Sequence, residues 1–545
     1  MAALLVVLGA AAAANDVLMI AVDDLRPQLA CTDVPGTVRP TMHTPHICGF
    51  ANDSLVLLRS QVAMATCSPS RTALLTGRHA TTTHVWDLFT YFRNATGNFT
   101  TLPQFFKERG YSTHGMGKIY HPGGASGGGS CEMCTGPDDG TWSWSEPYFH
   151  GVDEYDKSPH NSWMAVPANE SRKTPLQDTQ IADHAVATLK NISARRAAGA
   201  TQPFFVAVGF HKPHLPFVFP ESFLAQYPAS SISLPANAYA PDGMPAIAWQ
   251  TYGETRNYDD IAKLHATGQP NTTLPDAVVK ALRRAYYSAV SYTDHNIGTV
   301  LSTLDAEGMR ESTIVAFWGD HGWQLGEHGL WDKHTNFDLA THAPVMFRVP
   351  GLTDGGVRTY EFTETVDIFP TLVDFALGET MERCPLDSQA VALCTEGTSL
   401  RPLIGAPTTA VKVAAFSVYS RPIPSGIVED DDELEGASGG PSASACLDWR
   451  GTGRGCAMGY TMLTHADGAT VRYTEWVHYP GPTNGWAPKW ETSYGTELYN
   501  HTFDPPGENR NLFASVRGTA LAKTLAARLH GGWEGSGRSA LTHRK

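Results

Sequence analysis

The residue whose surroundings best suit chemistry is Cys67, which opens the segment C-S-P-S-R-T-A-L-L-T-G-R. Pro69 favours the first turn of a helix, and Leu74 and Leu75 give that helix an apolar side. Cys67 is therefore predicted at a helix N-terminus, where free backbone N–H groups and the helix dipole favour an anion. Arg71 follows one turn later and can point back to the same place. The alternative is a buried, unreactive cysteine, the commoner state of a lone cysteine.

Acidic residues and a histidine form a second group of candidates. Asp23 and Asp24 follow one apolar run, and Asp320 with His321 follows another. Carboxylate oxygens suit calcium or magnesium better than zinc. Either pair alone is weak evidence, since acids at strand ends are often simply solvated.

The elements that would position these residues are buried strands. Apolar runs at 16–22, 204–210, 313–317 and 345–349 are typical of parallel strands buried on both faces. Helical patterns at 177–189 and 275–304 alternate with them, which predicts an α/β sheet covered by helices. Ligands of such sheets bind at the carboxyl ends of the strands. His211 follows the second run, so the sequence predicts that it shares one site with the two acidic pairs.

The chain has 545 residues, more than one compact core usually holds, so two units are expected. The predicted boundaries are a signal peptide at 1–14, a catalytic unit at 15–405 and a smaller unit at 406–545. Strand-like runs at 470–477 and 496–499, with little helix between them, predict antiparallel strands for the smaller unit. A mobile acidic surface insertion is expected near 425–445.

The first fourteen residues are apolar and end in small side chains, which indicates a secretory signal cut near Ala14. Because no Lys or Arg precedes the run, a truncated gene model or an early first strand stays open. Sequons for N-glycosylation support secretion. They begin at Asn52, Asn94, Asn98, Asn169, Asn191, Asn271 and Asn500. No other stretch is long and apolar enough to span a membrane. A lysosomal, vacuolar or extracellular location is expected.

Nine cysteines leave one unpaired in an oxidising compartment, and we assign that place to Cys67. The pairs that could close short disulfide loops are Cys384 with Cys394, and Cys446 with Cys456. Cys131 and Cys134 form a C-x-x-C that is predicted as a disulfide, because no second pair follows at zinc spacing.

The formal net charge of −14 argues against a nucleic-acid-binding protein, which would carry a basic patch. If the substrate is anionic, its attraction must come from local cations and a metal ion, against the field of the whole molecule.

The segment from Cys67 to Arg78 matches the signature of the sulfatase family, C-x-P-S-R with a trailing T-G-R, and the chain resembles that family. The resemblance implies an alkaline-phosphatase-like sulfatase fold and conversion of the cysteine to formylglycine by a formylglycine-generating enzyme. It also implies one divalent cation, with calcium expected before magnesium. The implied ligands are Asp23, Asp24, Cys67, Asp320 and His321.

The chain resembles one branch of the family over nearly its whole length. The matching stretches are D-V-L-M-I-A-V-D-D-L-R-P, G-K-I-Y-H-P, V-G-F-H-K-P-H-L-P-F, D-H-G-W-Q-L-G-E-H-G-L-W-D-K, M-G-Y-T, V-R-Y-T-E-W-V and E-L-Y-N-H. By this resemblance Lys118 and His121 flank the formylglycine, and His211 and Lys333 hold the sulfate group. Trp323 either walls the sugar ring or is a core tryptophan. Lys212 and His214 share the His211 motif and are kept as supporting residues.

The resemblance implies hydrolysis of a sulfate monoester, with exo-removal of the 2-sulfate of a terminal uronic acid (iduronate) from a sulfated glycan. Arg454 is a candidate cation for the uronate carboxylate. Three alternatives stay open. They are a sulfatase of another sulfated polysaccharide, a phosphodiester or phosphonate hydrolase on the same fold, and an unconverted, inactive sulfoglycan-binding protein.

Overall fold

The computed structural model describes residues 15–33, 42–128, 136–155, 160–423, 456–481, 486–503 and 507–542. The predicted signal peptide, the acidic insertion, Arg454 and the Cys131–Cys134 pair lie outside these residues.

The strands of the described residues are β1 (Asp16–Val22), β2 (Leu55–Leu57), β3 (Ser60–Gln61), β4 (Ser112–Gly117), β5 (Trp163–Val166), β6 (Phe204–Phe210), β7 (Phe217–Pro220), β8 (Thr313–Gly319), β9 (Gln324–Leu325), β10 (Trp331–Asp332), β11 (Val345–Arg348), β12 (Val357–Thr359), β13 (Thr363–Glu364), β14 (Ala414–Arg421), β15 (Cys456–Ala466), β16 (Ala469–Tyr479) and β17 (Lys489–Asn500).

The α-helices are α1 (Pro45–Ala51), α2 (Cys67–Thr76), α3 (Ala80–Thr83), α4 (Phe92–Ala95), α5 (Leu102–Glu108), α6 (Gly140–Ser143), α7 (Ala168–Lys173), α8 (Gln177–Ala197), α9 (Gly253–Arg256), α10 (Asp259–Ala262), α11 (Asp276–Ala306), α12 (Asp338–Thr341), α13 (Ile368–Leu377), α14 (Pro402–Gly405), α15 (Phe513–Val516) and α16 (Ala520–Thr542).

The central sheet has the strand order β12-β2-β11-β8-β1-β6-β4. Strands β8, β1, β6 and β4 run parallel to one another, which confirms the predicted mostly parallel sheet. The strand predicted at 345–349 is present as β11, but it is antiparallel to both β8 and β2. A parallel neighbour would need a long crossover connection, usually a helix, to return the chain to the edge at which β8 begins. No long helix lies among the described residues between β8 and β11, so β11 starts at the edge where β8 ends and runs in the opposite direction.

Helices cover both faces of this sheet. Alternate residues of β1 point to opposite faces, and they belong to two different hydrophobic cores. Leu18 and Ile20 pack in the core that contains α8 and α11. Val17 and Met19 pack in the core that contains α2, α5 and α13. The helix that begins at Cys67 therefore lies on the face opposite the two longest covering helices.

The C-terminal sheet has the order β14-β15-β16-β17 and is antiparallel throughout, as predicted. Leu525 of α16 packs with Met462 on one side of the sheet. Met458 and Trp476 of the same sheet belong to the hydrophobic cluster that contains Ala73 of α2. The sheet thus buttresses the helix that carries Cys67, and the unit boundary at 405 stays a prediction.

Two disulfides join described cysteines, Cys384 with Cys394, as predicted, and Cys31 with Cys48. Cys456 is disulfide-bonded as well, and its predicted partner Cys446 lies outside the described residues. Cys67 is a buried free cysteine. Within the part of the chain that the structure describes, no helix has both the length and the apolar character of a membrane span.

Candidate active site

Cys67 is the first residue of α2, as its sequence context predicts. Thr66 precedes it in an extended conformation, and the helix ends at Gly77, whose φ is +65°. All ten residues of α2 are buried, so the helix has a fixed place between the central sheet and the C-terminal sheet. The N-terminal end of its dipole therefore points into the candidate site, where it favours negative charge.

Three carboxylates surround the Cys67 thiol, because β1 and β8 are adjacent and end at the same edge. Asp23 and Asp24 follow β1, Asp320 follows β8, and all three are fully buried. The Asp24 N–H donates to Asp320 Oδ1 at 3.0 Å. Cys67 Sγ lies 3.5 Å from Asp23 Oδ1 and 3.3 Å from His321 Nε2. The residues predicted to bind a metal therefore converge on one point.

Three cations neutralise these carboxylates. Arg71 is 3.0 Å from both Asp23 and Asp320. Lys118 forms an ion pair with Asp23, and its Nζ is 3.8 Å from Cys67 Sγ. Lys333 Nζ lies 3.2 Å from Asp24 Oδ1. The three basic residues that the sequence predicts at the active site therefore also balance the charge of the predicted metal ligands.

The position of Lys118 depends on two glycines at the ends of β4 and β6. Gly117 has φ +72°, and a Cβ there would lie 1.9 Å from the carbonyl oxygen of Gly209. In return, a Cβ on Gly209 would lie 2.2 Å from the carbonyl oxygen of Lys118. Only glycine permits this close approach, which places Lys118 at the carboxyl edge of the sheet, next to the end of β6.

The carboxyl groups have very different proton affinities. Burial raises the pKa of Asp23, but Lys118 and Arg71 outweigh it and hold the pKa well below its usual range. Burial raises the pKa of Asp320 to about 7, while Arg71 opposes the rise. The pKa of Asp24 is also raised by burial, against the effect of Lys333. Buried carboxylates this close together bind protons unless a further cation joins them.

The donor set fits a hard divalent cation. One donor atom from each of Asp23, Cys67, Asp320 and His321 lies within 4.8 Å of the others. A second group combines Asp24 and Cys67 with His214, which the sequence analysis kept as a supporting residue. Three buried carboxylate residues with one imidazole match the oxygen-rich coordination of calcium or magnesium.

His121 and His211, the histidines that the resemblance places beside the formylglycine and the sulfate group, both interact with the charges of Lys118 and Asp23. Burial lowers the pKa of His121 and of His211 well below the usual range, and the charge of Lys118 lowers both further. The N–H groups of His211 and Lys212 donate to Asp178 at 2.9 and 2.8 Å. Asp178 on α8 therefore holds the loop that follows β6.

Asp178 and Glu254 were not predicted from the sequence. Asp178 lies at the start of a predicted helix, where an acidic residue ordinarily serves the helix itself, and Glu254 belongs to no motif. Glu254 pairs with Lys333 at 2.8 Å and with His214 at 3.3 Å. Trp323 is fully buried, with Lys333 Nζ 5.0 Å from its ring centroid. This placement favours support of Lys333 over contact with a sugar.

Comparison with known proteins identifies the family. Residues 15–378 match the family model described as Sulfatase. The chain is also 33% identical to iduronate 2-sulfatase of Homo sapiens over 558 residues, which covers 94% of this chain and 93% of that protein. The chain belongs to the sulfatase family. Membership makes this sulfatase a sulfuric ester hydrolase.

Solved structures agree on the fold. A protein solved in complex with its substrate D-glucosamine-2-N,6-O-disulfate has a TM-score of 0.64 and 18% identity, with 98% of this chain and 100% of that chain covered. A phosphonate monoester hydrolase of Agrobacterium radiobacter has a TM-score of 0.61 and 20% identity, with 95% and 96% covered. These likenesses establish the alkaline-phosphatase-like sulfatase architecture that the sequence predicts.

Proposed function

We propose that this sulfatase hydrolyses sulfate esters of glycosaminoglycans through a formylglycine formed from Cys67, and that it removes the 2-sulfate of a terminal iduronate. The observation that carries the proposal is the convergence of buried carboxylates and cations on residue 67. The extended similarity to iduronate 2-sulfatase supports the choice of sugar.

The charge balance of the site supports an anionic substrate. Ion pairs join four carboxylates, those of Asp23, Asp24, Asp320 and Glu254, to three cations, Arg71, Lys118 and Lys333. The ionised site therefore has one negative charge in excess. A divalent cation reverses the excess to one positive charge, which a sulfate monoester balances. Local charge can thus attract the substrate although the whole molecule is acidic.

An unmodified Cys67 is poorly suited to be the nucleophile. Burial raises the pKa of its thiol well above the usual value, and Asp23 raises it further, so the reactive thiolate is disfavoured. Formylglycine escapes this limit because its aldehyde adds water to give two hydroxyl groups on one carbon. We therefore propose that a formylglycine-generating enzyme acts on the chain during maturation in the secretory pathway.

The proposed reaction has two steps. A bound divalent cation, with calcium as the proposed ion, would favour ionisation of a hydroxyl group and neutralise charge on the sulfuryl oxygens. One hydroxyl group of residue 67 releases its proton to water, and its oxygen attacks sulfur. The bond to the sugar oxygen breaks as protonated His211 donates a proton to that oxygen. Lys118, Lys333 and Arg71 stabilise the charge that develops at the reacting centre.

In the second step, His121 accepts the proton of the remaining hydroxyl group. The carbon–oxygen bond to sulfate then breaks, which releases sulfate and restores the aldehyde. The low pKa of His121 suits a base that must be neutral before it acts. The negative charge of a bound sulfate group would favour the protonated form of His211, which its surroundings otherwise disfavour.

A panel of substrates tests the proposal. A 2-sulfated uronate disaccharide should have a higher kcat/KM than glucosamine 6-sulfate, galactose sulfates or an aryl sulfate. Preference for a neutral sugar sulfate would refute the iduronate assignment and leave a sulfatase of another polysaccharide. Preferential turnover of a phosphodiester or phosphonate would favour the hydrolase alternative. Binding without turnover of any ester would indicate an unconverted sulfoglycan-binding protein.

A further inference from the structure

Glu254 is a nearly buried carboxylate that the proposed reaction does not use. Its side chain is 10% exposed, and it lies on α9, outside every motif that the sequence analysis singled out. Oε1 accepts from Lys333 Nζ at 2.8 Å, and Oε2 is 3.1 Å from His334 Nε2. Burial raises the pKa of this carboxyl, but Lys333 outweighs it and keeps the group ionised. Loss of Lys333 would leave this carboxylate buried without its ion-pair partner, which is strongly destabilising.

Lys333 has a second partner, Asp24, whose two oxygens lie 3.2 and 3.3 Å from its Nζ. Asp24 is also a candidate metal ligand, so the ammonium and a metal ion would compete for the same oxygens. Among the ion pairs of the described residues, Glu254 is the other carboxylate that contacts Lys333. Glu254 can therefore hold the Lys333 ammonium group when Asp24 binds a metal cation instead.

The segments that carry Glu254 and Lys333 are fastened to each other. Asp332 accepts a hydrogen bond from the Thr255 N–H at 3.2 Å and another from the Thr255 hydroxyl. His334 Nδ1 lies 2.9 Å from the hydroxyl group of Tyr419 on β14. The C-terminal sheet thus reaches Lys333 through His334 and Glu254.

We propose that Glu254 is a positioning residue: it draws Lys333 away from Asp24, which frees that carboxylate for the metal ion and holds the ammonium ready for the sulfuryl group. The role of Lys333 toward sulfate rests on the proposed function. The competition between Lys333 and a cation for Asp24 does not.

A double-mutant cycle on the full chain tests this inference. Calcium alone is titrated by calorimetry into wild type, Glu254→Gln, Lys333→Met and the double variant. In the presence of Lys333, E254Q should weaken calcium binding about tenfold, because the released ammonium competes for Asp24. In the K333M background, E254Q should change calcium affinity by less than about twofold. Equal losses in both backgrounds would overturn the proposal, because Glu254 would then act independently of Lys333.

Binding of inorganic sulfate to the calcium-loaded protein gives a second measurement. E254Q should weaken it about tenfold as the ammonium loses its anchor, and an unchanged affinity would count against the proposal. Should E254Q not fold, Glu254→Asp keeps the charge but withdraws the carboxylate, with the same expected loss. Glu508→Gln is the control, because it breaks a buried ion pair with Arg472 without contact to the site. Neither titration needs turnover, so failure of the proposed sulfatase reaction would be seen separately.

Discussion

At the scale of single residues, Cys67 combines full burial with a place at a helix N-terminus and two charged neighbours, Asp23 and Lys118. We predict that the active protein carries formylglycine at this position and that Cys67→Ser folds normally but loses turnover. A serine hydroxyl can accept the sulfuryl group but has no second hydroxyl to expel it. Peptide mass spectrometry checks the modification. A fully active sample that contains only unmodified Cys67 would refute it.

Asp320 carries the prediction for the metal ion. Asp320→Asn removes one charged ligand and one partner of Arg71, so calcium affinity and activity should fall together, each by at least about tenfold. Calorimetry and kcat/KM measure the two losses. Chelation of the wild type should abolish turnover, and calcium should restore it. Full activity after exhaustive chelation, with no metal detected by elemental analysis, would contradict the assignment.

At the scale of secondary-structure elements, the features that could be predicted from the sequence are those that depend on a local pattern of residues. Buried runs gave β1 and β6 with their observed bounds, and acidic residues after β1 and β8 predicted a shared site. The antiparallel direction of β11 and the role of Glu254 were not predictable. Both depend on which distant segments meet, and neither hydrophobic periodicity nor a short motif contains that information.

Asp178 on α8 gives a prediction with a definite pH dependence. Burial raises its pKa to about 6, against hydrogen bonds from the His211 and Lys212 N–H groups, which lower it. Between its unfolded pKa and about 6, the folded protein binds a proton that the unfolded chain does not. The contribution of Asp178 to stability is therefore largest in acid and declines as the pH rises through this window.

Asp178→Asn does not titrate, and its amide offers one acceptor oxygen to the two N–H groups. We expect the variant to be less stable than wild type at pH 5, and the gap in unfolding free energy to narrow by about 1.4 kcal/mol at pH 8. Urea unfolding at the two pH values measures the gap. Asp183→Asn, at an exposed position of the same helix, is the control. A stability gap that widens with pH would contradict the assignment. The kcat of Asp178→Asn should also fall, because the loop that carries His211 loses a hydrogen bond.

At the scale of the whole molecule, the charge of −14 opposes the approach of a polyanion, although the site attracts one sulfate group. A fall in pH adds protons to the ionisable groups of the chain as a whole, so the net charge becomes less negative and the repulsion is reduced. His211 must also be protonated to act as an acid, and its low pKa moves that event further into acid. His121 must stay neutral as a base. We therefore predict an acidic pH optimum with a bell-shaped profile.

The long-range part of this effect can be separated from the chemistry by substrate charge. A sulfated oligosaccharide with several charges and an aryl sulfate with one use the same catalytic groups, but only the first meets strong repulsion from the whole molecule. From pH 7.5 to pH 5, kcat/KM should rise more for the oligosaccharide than for the aryl ester.

At pH 7.5, raising the salt concentration from about 0.01 to 0.15 M shortens the Debye length from about 30 to 8 Å, and kcat/KM for the oligosaccharide should increase. The aryl sulfate is the control and should change little with salt. A decrease of kcat/KM with salt for the oligosaccharide would mean that attraction by an extended cationic surface dominates. In the pH profile, a rate that keeps rising above neutral pH would show that His211 is not the acid.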